Sequence, residues 1–235
     1  MKDIPIRLER AQVATLRLFA ELPHQALEAI ARRCKVRRYA ADEHVLHHHE
    51  TSFDLFFVLD GRVRVVLYSP TGRDVSFRDL GPGEVFGELA AIDGGTRSAS
   101  VLAIEPTALV VMSRADFIAL TQTHPEVAQA LQRHLVALIR RYSQRVYELS
   151  TLGVEQRIRA EIVRLACERG DGSSAVMIQP APTLANIASL VGTTREAVSR
   201  EIARLSREGL VQRRGNALMV HDVGRLGATQ EDAIG

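Results

Sequence analysis

The sequence predicts an α+β chain in three parts: an antiparallel β-roll, one long amphipathic helix, and a pair of short helices followed by a hairpin. Three observations predict it. Between Val36 and Met112 apolar and polar residues alternate with period two, punctuated by turn residues at Asp60-Gly61, Pro70-Thr71-Gly72 and Gly81-Pro82-Gly83. From Pro125 to about Leu152 apolar residues recur three and four apart. From Thr183 to Leu205 two short helical patterns, each with a threonine cap, meet at Gly192.

In chain order, residues 10–33 read as helical. Pro23 suits a helix start, and Leu27, Ile30 and Ala31 come after it at helical spacing, forming a cover on the sheet. Within the sheet, Gly61 to Tyr68 is the clearest strand. Arg62 and Arg64 alternate with Val63 and Val65, which marks one buried face. Several short strands at this spacing make a roll with room for an internal pocket.

The stretch from Val85 to Val101 carries the chemistry of that pocket. Gly87 has no Cβ, so backbone there can approach a ligand. The amides after it begin a very short helix, where unpaired N–H groups favour an anion. Arg97 brings a planar, always-charged fork suited to phosphate. Glu88 is acceptor-only and suits a sugar hydroxyl. A plain β-hairpin with a glycine turn and a surface arginine is the alternative.

His44, His47, His48 and His49 invite a metal reading. In a strand His47 and His49 share one face and His48 takes the other. A solvated strand end accounts for them, and no metal is expected. No serine–histidine–acid or paired-carboxylate pattern is evident, so no catalytic residues are named and an enzyme is not expected.

After the sheet, Ser113 caps a short helix. The long helix then presents Val127, Leu131, Leu135 (or His134), Leu138, Tyr142, Val146 (or Arg145) and Leu149 as a stripe. A stripe of this length calls for a partner surface, and the plainest is its own copy in a parallel homodimer. Packing on its own sheet alone is the other possibility. Leu152-Gly153-Val154 reads as a hinge. Glu155 to Cys167 forms a new helix with Ile158, Ile162, Val163 and Ala166 inward. Gly170 to Ser174 is a loop, and Ala175 to Gln179 is a short strand stopped by Pro180 and Pro182.

Thr183 caps the helix 184–191, Gly192 ends it, and Thr194 caps the next, Arg195 to Arg207. Ala188, Gly192 and Val198 fall at helix–turn–helix spacings: close approach, turn and core plug. Leu210 to Val220 reads as a two-stranded wing around Gly215-Asn216. Arg195, Glu196, Ser199 and Arg200 share the outer face of the second helix. Arginine can contact guanine bidentately and glutamate can accept from cytosine. Thr183, Thr194, Arg213 and Arg214 suit phosphate contacts. Alternatively, the arginines pair with Glu201 or Glu208 on a solvated face. The tail from Gly227 to Gly235 reads as disordered.

Composition sets bounds. The 235 residues carry a net charge of only +2, so charge alone does not announce a nucleic-acid binder. No apolar run spans a bilayer, and Met1 to Pro5 lacks a signal peptide's core, so the chain is expected in the cytoplasm. Cys34 and Cys167 match no zinc or iron–sulfur spacing. Each is expected as a buried small residue on a helix.

Gly87-Glu88-Leu89 with Arg97-Ser98-Ala99 beyond it resembles the phosphate cassette of cyclic-nucleotide-binding domains. Arg195-Glu196 with Arg200 beyond it resembles the recognition pattern of the cyclic-AMP receptor protein / fumarate-nitrate regulator (CRP/FNR) family. The resemblance runs from about Leu18 to Leu226. It implies a cyclic-nucleotide-binding sensor domain over 1–124, a dimerisation helix over 125–152, a winged helix–turn–helix over 153–226, and a tail over 227–235. It implies a homodimeric transcription regulator of a palindromic TGTGA-like DNA site, with RNA polymerase as a further partner and no membrane. Cyclic AMP or cyclic GMP would be the allosteric ligand, held by Phe86, Gly87, Glu88, Leu89, Arg97, Ser98, Tyr142 and Ser143. Two departures stand out. Tyr142 replaces one of two small hydroxyl residues, and the family usually has a glycine near His49. The alternatives are a nucleotide-binding module with protein-contact output and a family member answering a different effector.

Overall fold

The computed structural model describes residues 8–68, 74–170 and 172–228. The expected turn at Pro70-Thr71-Gly72, the Met1–Pro5 segment and residues 229–235 of the tail lie outside the described residues. The chain forms two compact units, Met1–Arg140 and Arg141–Gly235.

The first unit opens with α1 (Arg10–Ala14) and α2 (His24–Arg33). The strands are β1 (Lys35–Tyr39), β2 (His44–Leu46), β3 (Leu55–Asp60), β4 (Val63–Tyr68), β5 (Asp74–Leu80) and β6 (Val85–Phe86). After α3 (Glu88–Asp93) come β7 (Ser100–Ala103) and β8 (Thr107–Met112), then α4 (Arg114–Thr123) and α5 (Pro125–Thr151), which runs on into the second unit. Two four-stranded antiparallel sheets result, in the orders β1-β8-β3-β6 and β2-β7-β4-β5.

The run Leu55-Phe56-Phe57-Val58 is buried throughout because β3 is covered on both faces. Phe56 and Val58 pack between the sheets with Leu46, Val63, Leu80, Val101 and Leu109. Leu55 and Phe57 face the other way, against Leu16, Phe19, Leu27, Ile30, Phe117, Val127 and Leu131 from the helical cover. This is the expected roll with its N-terminal cover.

Two local expectations are corrected. The helical reading of 10–33 breaks between α1 and α2, where a 3-10 turn at Arg17–Phe19 buries Leu18 and Phe19; Pro23 stands at the start of α2 as expected, as its N-cap. In β4 Val63 is buried and Val65, partly buried, packs on the same core between the sheets, as expected, while Val66 is buried as well. Val65 opposes Arg78 and Val66 opposes Ser76, so a β-bulge leaves Phe77 of β5 as an extra residue. Cys34 is buried but extended, just past α2, while Cys167 is exposed.

The second unit adds α6 (Val154–Arg169), β9 (Val176–Ile178), α7 (Leu184–Val191), α8 (Arg195–Arg207), β10 (Val211–Arg214), β11 (Ala217–Val220) and α9 (Val223–Ala228), so Gly227 and Ala228, expected in a disordered tail, close a helix instead. Its core joins Ile158, Ile162 and Ala166 of α6 to Ile187, Val191, Val198, Leu205, Leu218 and Val220. The expected two-stranded wing is β10 and β11, and the expected short strand, β9, joins it beside β11, Met177 opposite Met219, and sends Val176 and Ile178 into the core.

The long helix also departs from expectation. Val127, Leu131 and Leu138 are buried, and Leu135 packs on the core of the first unit. The large exposed apolar side chains are Val136, Ile139, Val146, Tyr147 and Leu149. Most of the stripe read from the sequence therefore packs inward, and a second, offset stripe faces out.

Candidate functional site

Gly87 sits between β6 and α3 with φ +81, the left-handed region that favours glycine, and caps α3 without a side chain. Directly after it, Glu88 is buried at 4% exposure. Arg97 comes from the turn before β7 and is buried at 2%. These residue types, rare in a protein interior, meet in one place: the carboxylates of Glu50, Asp54 and Glu88 all act on the Arg97 charge. Burial lowers the Arg97 pKa, and those three carboxylates oppose the shift.

The Arg97 fork is not open to solvent. Nε donates to Ser52 Oγ at 2.9 Å, Nη1 to the Gly87 carbonyl at 3.0 Å, and Nη2 to the Asp54 carbonyl at 2.8 Å. Three of the five N–H groups of a guanidinium are thus used on the protein, and its carbon lies 5.7 Å from the Phe56 ring centroid. The fork fastens the cassette to the loop before β3, a role that residue spacing alone does not reveal.

Of the other expected ligand residues, Leu89 and Ser98 are exposed beside this pair. The ring of Phe86 is core, stacked on Phe56 at 5.2 Å, so it forms a floor. Tyr142 is half-buried and Ser143 exposed on the part of α5 that belongs to the second unit.

The histidines are not in a strand as expected. Only His44 is in β2; His47–Glu50 forms a turn in which the His47 amide donates to Glu50 Oε2. His49 takes φ +66, the conformation a glycine would adopt freely. Its amide donates to the Arg97 carbonyl and the Arg97 amide to the Glu50 carbonyl, so this turn brackets the cassette arginine. Burial tends to raise the Glu50 pKa, but hydrogen bonds from Ser52 and the His47 amide, with Arg97 nearby, hold it below the ordinary value. Among the described residues no group of three or more His, Cys, Asp or Glu could hold a metal ion.

In the second unit, Thr183 Oγ1 accepts from the Asn186 amide and Thr194 Oγ1 from the Ala197 amide, as their cap positions require. Gly192, at φ +66, makes the turn. Ala188 and Val198 are buried where the two helices meet. Thr183, Thr194, Arg195, Glu196, Ser199, Arg200, Arg213 and Arg214 all reach the surface. Hydrogen bonds from its own amide and from Thr194 hold the Glu196 pKa down, aided by Arg195 and Arg200. Glu201 is turned inward at 3% exposure and bonds to Arg159 of α6 and to Arg204, which also binds Glu208. The alternative pairing of the outer arginines with Glu201 or Glu208 is thereby corrected: Arg159 and Arg204 hold those carboxylates.

A β-roll with a buried arginine behind a left-handed glycine, together with a winged helix–turn–helix, defines a class of two-part regulators. Residues 36–124 match the cyclic nucleotide-binding domain and residues 156–229 the Crp-like helix-turn-helix domain. The chain is 33% identical over 177 residues to the cyclic AMP receptor protein of Thermus thermophilus, covering 75% of this chain and 79% of that one. It is 26% identical over 210 residues to the CRP-like cAMP-activated global transcriptional regulator of Mycobacterium tuberculosis, covering 89% and 94%. A solved structure of a CooA mutant from Carboxydothermus hydrogenoformans shares the fold, with a TM-score of 0.78 at 17% identity over 97% of this chain and 98% of that one. The chain belongs to the CRP/FNR family of transcription regulators, which are not enzymes. Among the described residues no helix is long and apolar enough to cross a membrane.

Proposed function

We propose that the chain is a cyclic-nucleotide-responsive, homodimeric regulator that binds a palindromic TGTGA-like DNA site. The observation that carries this reading is the burial of Glu88 and Arg97 together behind Gly87. A buried cation beside a buried carboxylate suits a ligand with an anionic phosphate and a neighbouring hydroxyl, as in a cyclic nucleotide. Phe86, Gly87, Glu88, Leu89, Arg97 and Ser98 form the phosphate and sugar part, and Tyr142 and Ser143 read the base. The Thermus and Mycobacterium relatives are named for cyclic AMP, which favours it over cyclic GMP.

Dimerisation uses the outward stripe of α5. Val136, Ile139 and Val146 are half or more exposed, and with Ser143 they lie three, four and three residues apart, a coiled-coil spacing. Arg195, Glu196, Ser199 and Arg200 read base edges, while Thr183, Thr194, Arg213 and Arg214 hold phosphates. Ligand shifts the population toward a form whose recognition helices enter successive major grooves, about 34 Å apart. RNA polymerase is the partner through which bound protein acts on transcription. The domain limits proposed are 1–124, 125–152 and 153–226, with the hinge at Leu152–Val154 and a tail over 227–235. The site of action is the cytoplasm.

Calorimetric titration of cyclic AMP and cyclic GMP, with DNA binding measured in parallel, tests the proposal. Tight binding of either nucleotide with tighter DNA binding supports it; no binding of either overturns the ligand half. One observation favours a different effector: Arg97 gives three N–H groups to its own chain. The same titration separates the two.

A further inference from the structure

We infer that His134 is a positioning residue of this pocket, holding the Glu88 carboxylate in place for the sugar 2′-hydroxyl of a cyclic nucleotide; this rests on the functional reading above. His134 belongs to α5, between Leu131 and Leu138 on one face of the helix. Both leucines are more than nine-tenths buried, so the position turns inward. A histidine on an apolar inward face needs a polar partner. Its Nε2 is buried with no hydrogen-bond partner among the described residues. The acidic group facing it is Glu88, whose Oε1 lies 3.7 Å away; the two side chains are 20% and 6% exposed.

That distance is just beyond a hydrogen bond, and a small closing movement makes one. With its proton on Nε2, His134 then donates to one carboxylate oxygen and leaves the other to accept from the ligand. The carboxylate would otherwise be free to turn toward the Arg97 charge it already influences. His134 therefore sets the direction of Glu88, and it does so from the helix that leads into the second unit. The cassette motif contains no trace of this contact, because His134 lies far along the chain from Glu88.

The test compares cyclic AMP with 2′-deoxy cyclic AMP, titrated calorimetrically into the full-length wild type, His134→Leu and His134→Gln. His134→Leu is expected to weaken cyclic AMP about tenfold, the loss of one charge-assisted hydrogen bond, and to leave the 2′-deoxy compound within about twofold. His134→Gln keeps a donor and is expected to recover most of the loss. Equal weakening of both ligands, or of neither, overturns the inference while leaving the functional reading intact. No binding of cyclic AMP by wild type overturns the functional reading and this one with it. Should His134→Leu fail to fold, imidazole 15N shifts in labelled wild type decide the question, with His134→Gln supplying the assignment. A donor shift at Nε2 that appears with cyclic AMP but not with its 2′-deoxy analogue supports the contact, and identical shifts with both overturn it.

Discussion

Arg97 Nη1 donates to the Gly87 carbonyl at 3.0 Å, and a Cβ on residue 87 would stand 2.8 Å from that same nitrogen. Gly87 is thus required twice: by its φ of +81 and by the arginine pressed against it. Gly87→Ala is expected to cost about 1–3 kcal/mol through left-handed strain and displacement of the fork. Urea unfolding checks the stability, and the cyclic-nucleotide affinity should fall with it.

Arg97→Lys should not rescue Arg97→Ala. An ammonium cannot reach Ser52, Gly87 and Asp54 from one planar fork. Both variants are expected to bind ligand at least about tenfold more weakly, and both should melt lower than wild type without ligand, since buried carbonyls lose their donors. Calorimetry and thermal melts read the two effects separately.

The two cysteines differ in reactivity. Burial, helped by Asp116, pushes the Cys34 thiol from its ordinary 9.0 up to about 12. At pH 8 a thiol reagent should label exposed Cys167 and spare Cys34 until the protein unfolds. The folded pKa is the higher one, so the stabilising contribution is full below pH 9 and is lost as pH rises toward 12. That loss is about 1.4 kcal/mol per pH unit. Cys34→Ala should remove this alkaline slope from urea midpoints.

Glu201→Ala leaves Arg159 without its 2.8 Å partner in a nearly closed site. Loss of one member of a buried pair costs about 3 kcal/mol. DNA affinity should fall for a structural reason, visible as a lower unfolding midpoint of the variant. Arg200→Ala, by contrast, should leave stability within about 0.5 kcal/mol and cost about 1–3 kcal/mol of DNA binding, concentrated at one base position. Arg213→Ala should weaken all sequences alike and lower the salt slope by about 1.

The parts of this fold legible in the sequence are those set by neighbours in the chain. Thr183, Thr194, Gly192 and Gly87 act within one turn, and all four do what their residue types require. The bulge between β4 and β5 is not legible, because it rests on one extra residue, Phe77, in the facing strand, and strand partners are not set by neighbours in the chain. On α5 two apolar stripes overlap, and periodicity cannot say whether Leu131 or Val136 meets the core. The cassette residues are recognisable by spacing. The inward grip of Arg97 and the approach of His134 to Glu88 are not, because each depends on a contact far along the chain.

Arg164 of α6 reaches back across the break at Leu152-Gly153 to Glu148 of α5 with bonds of 3.0 and 3.1 Å, and it also bonds to Glu161. The Glu148 side chain is only 10% exposed and that of Arg164 27%, so salt screens this pair less than an open one. The bend at Gly153 is therefore a latched joint rather than a loose one. If the arginines hold DNA phosphates as proposed, raising ionic strength is expected to release them well before it opens the latch. Release of DNA by salt and reshaping of the joint are then expected as two separable events, the first reached while the second has barely begun.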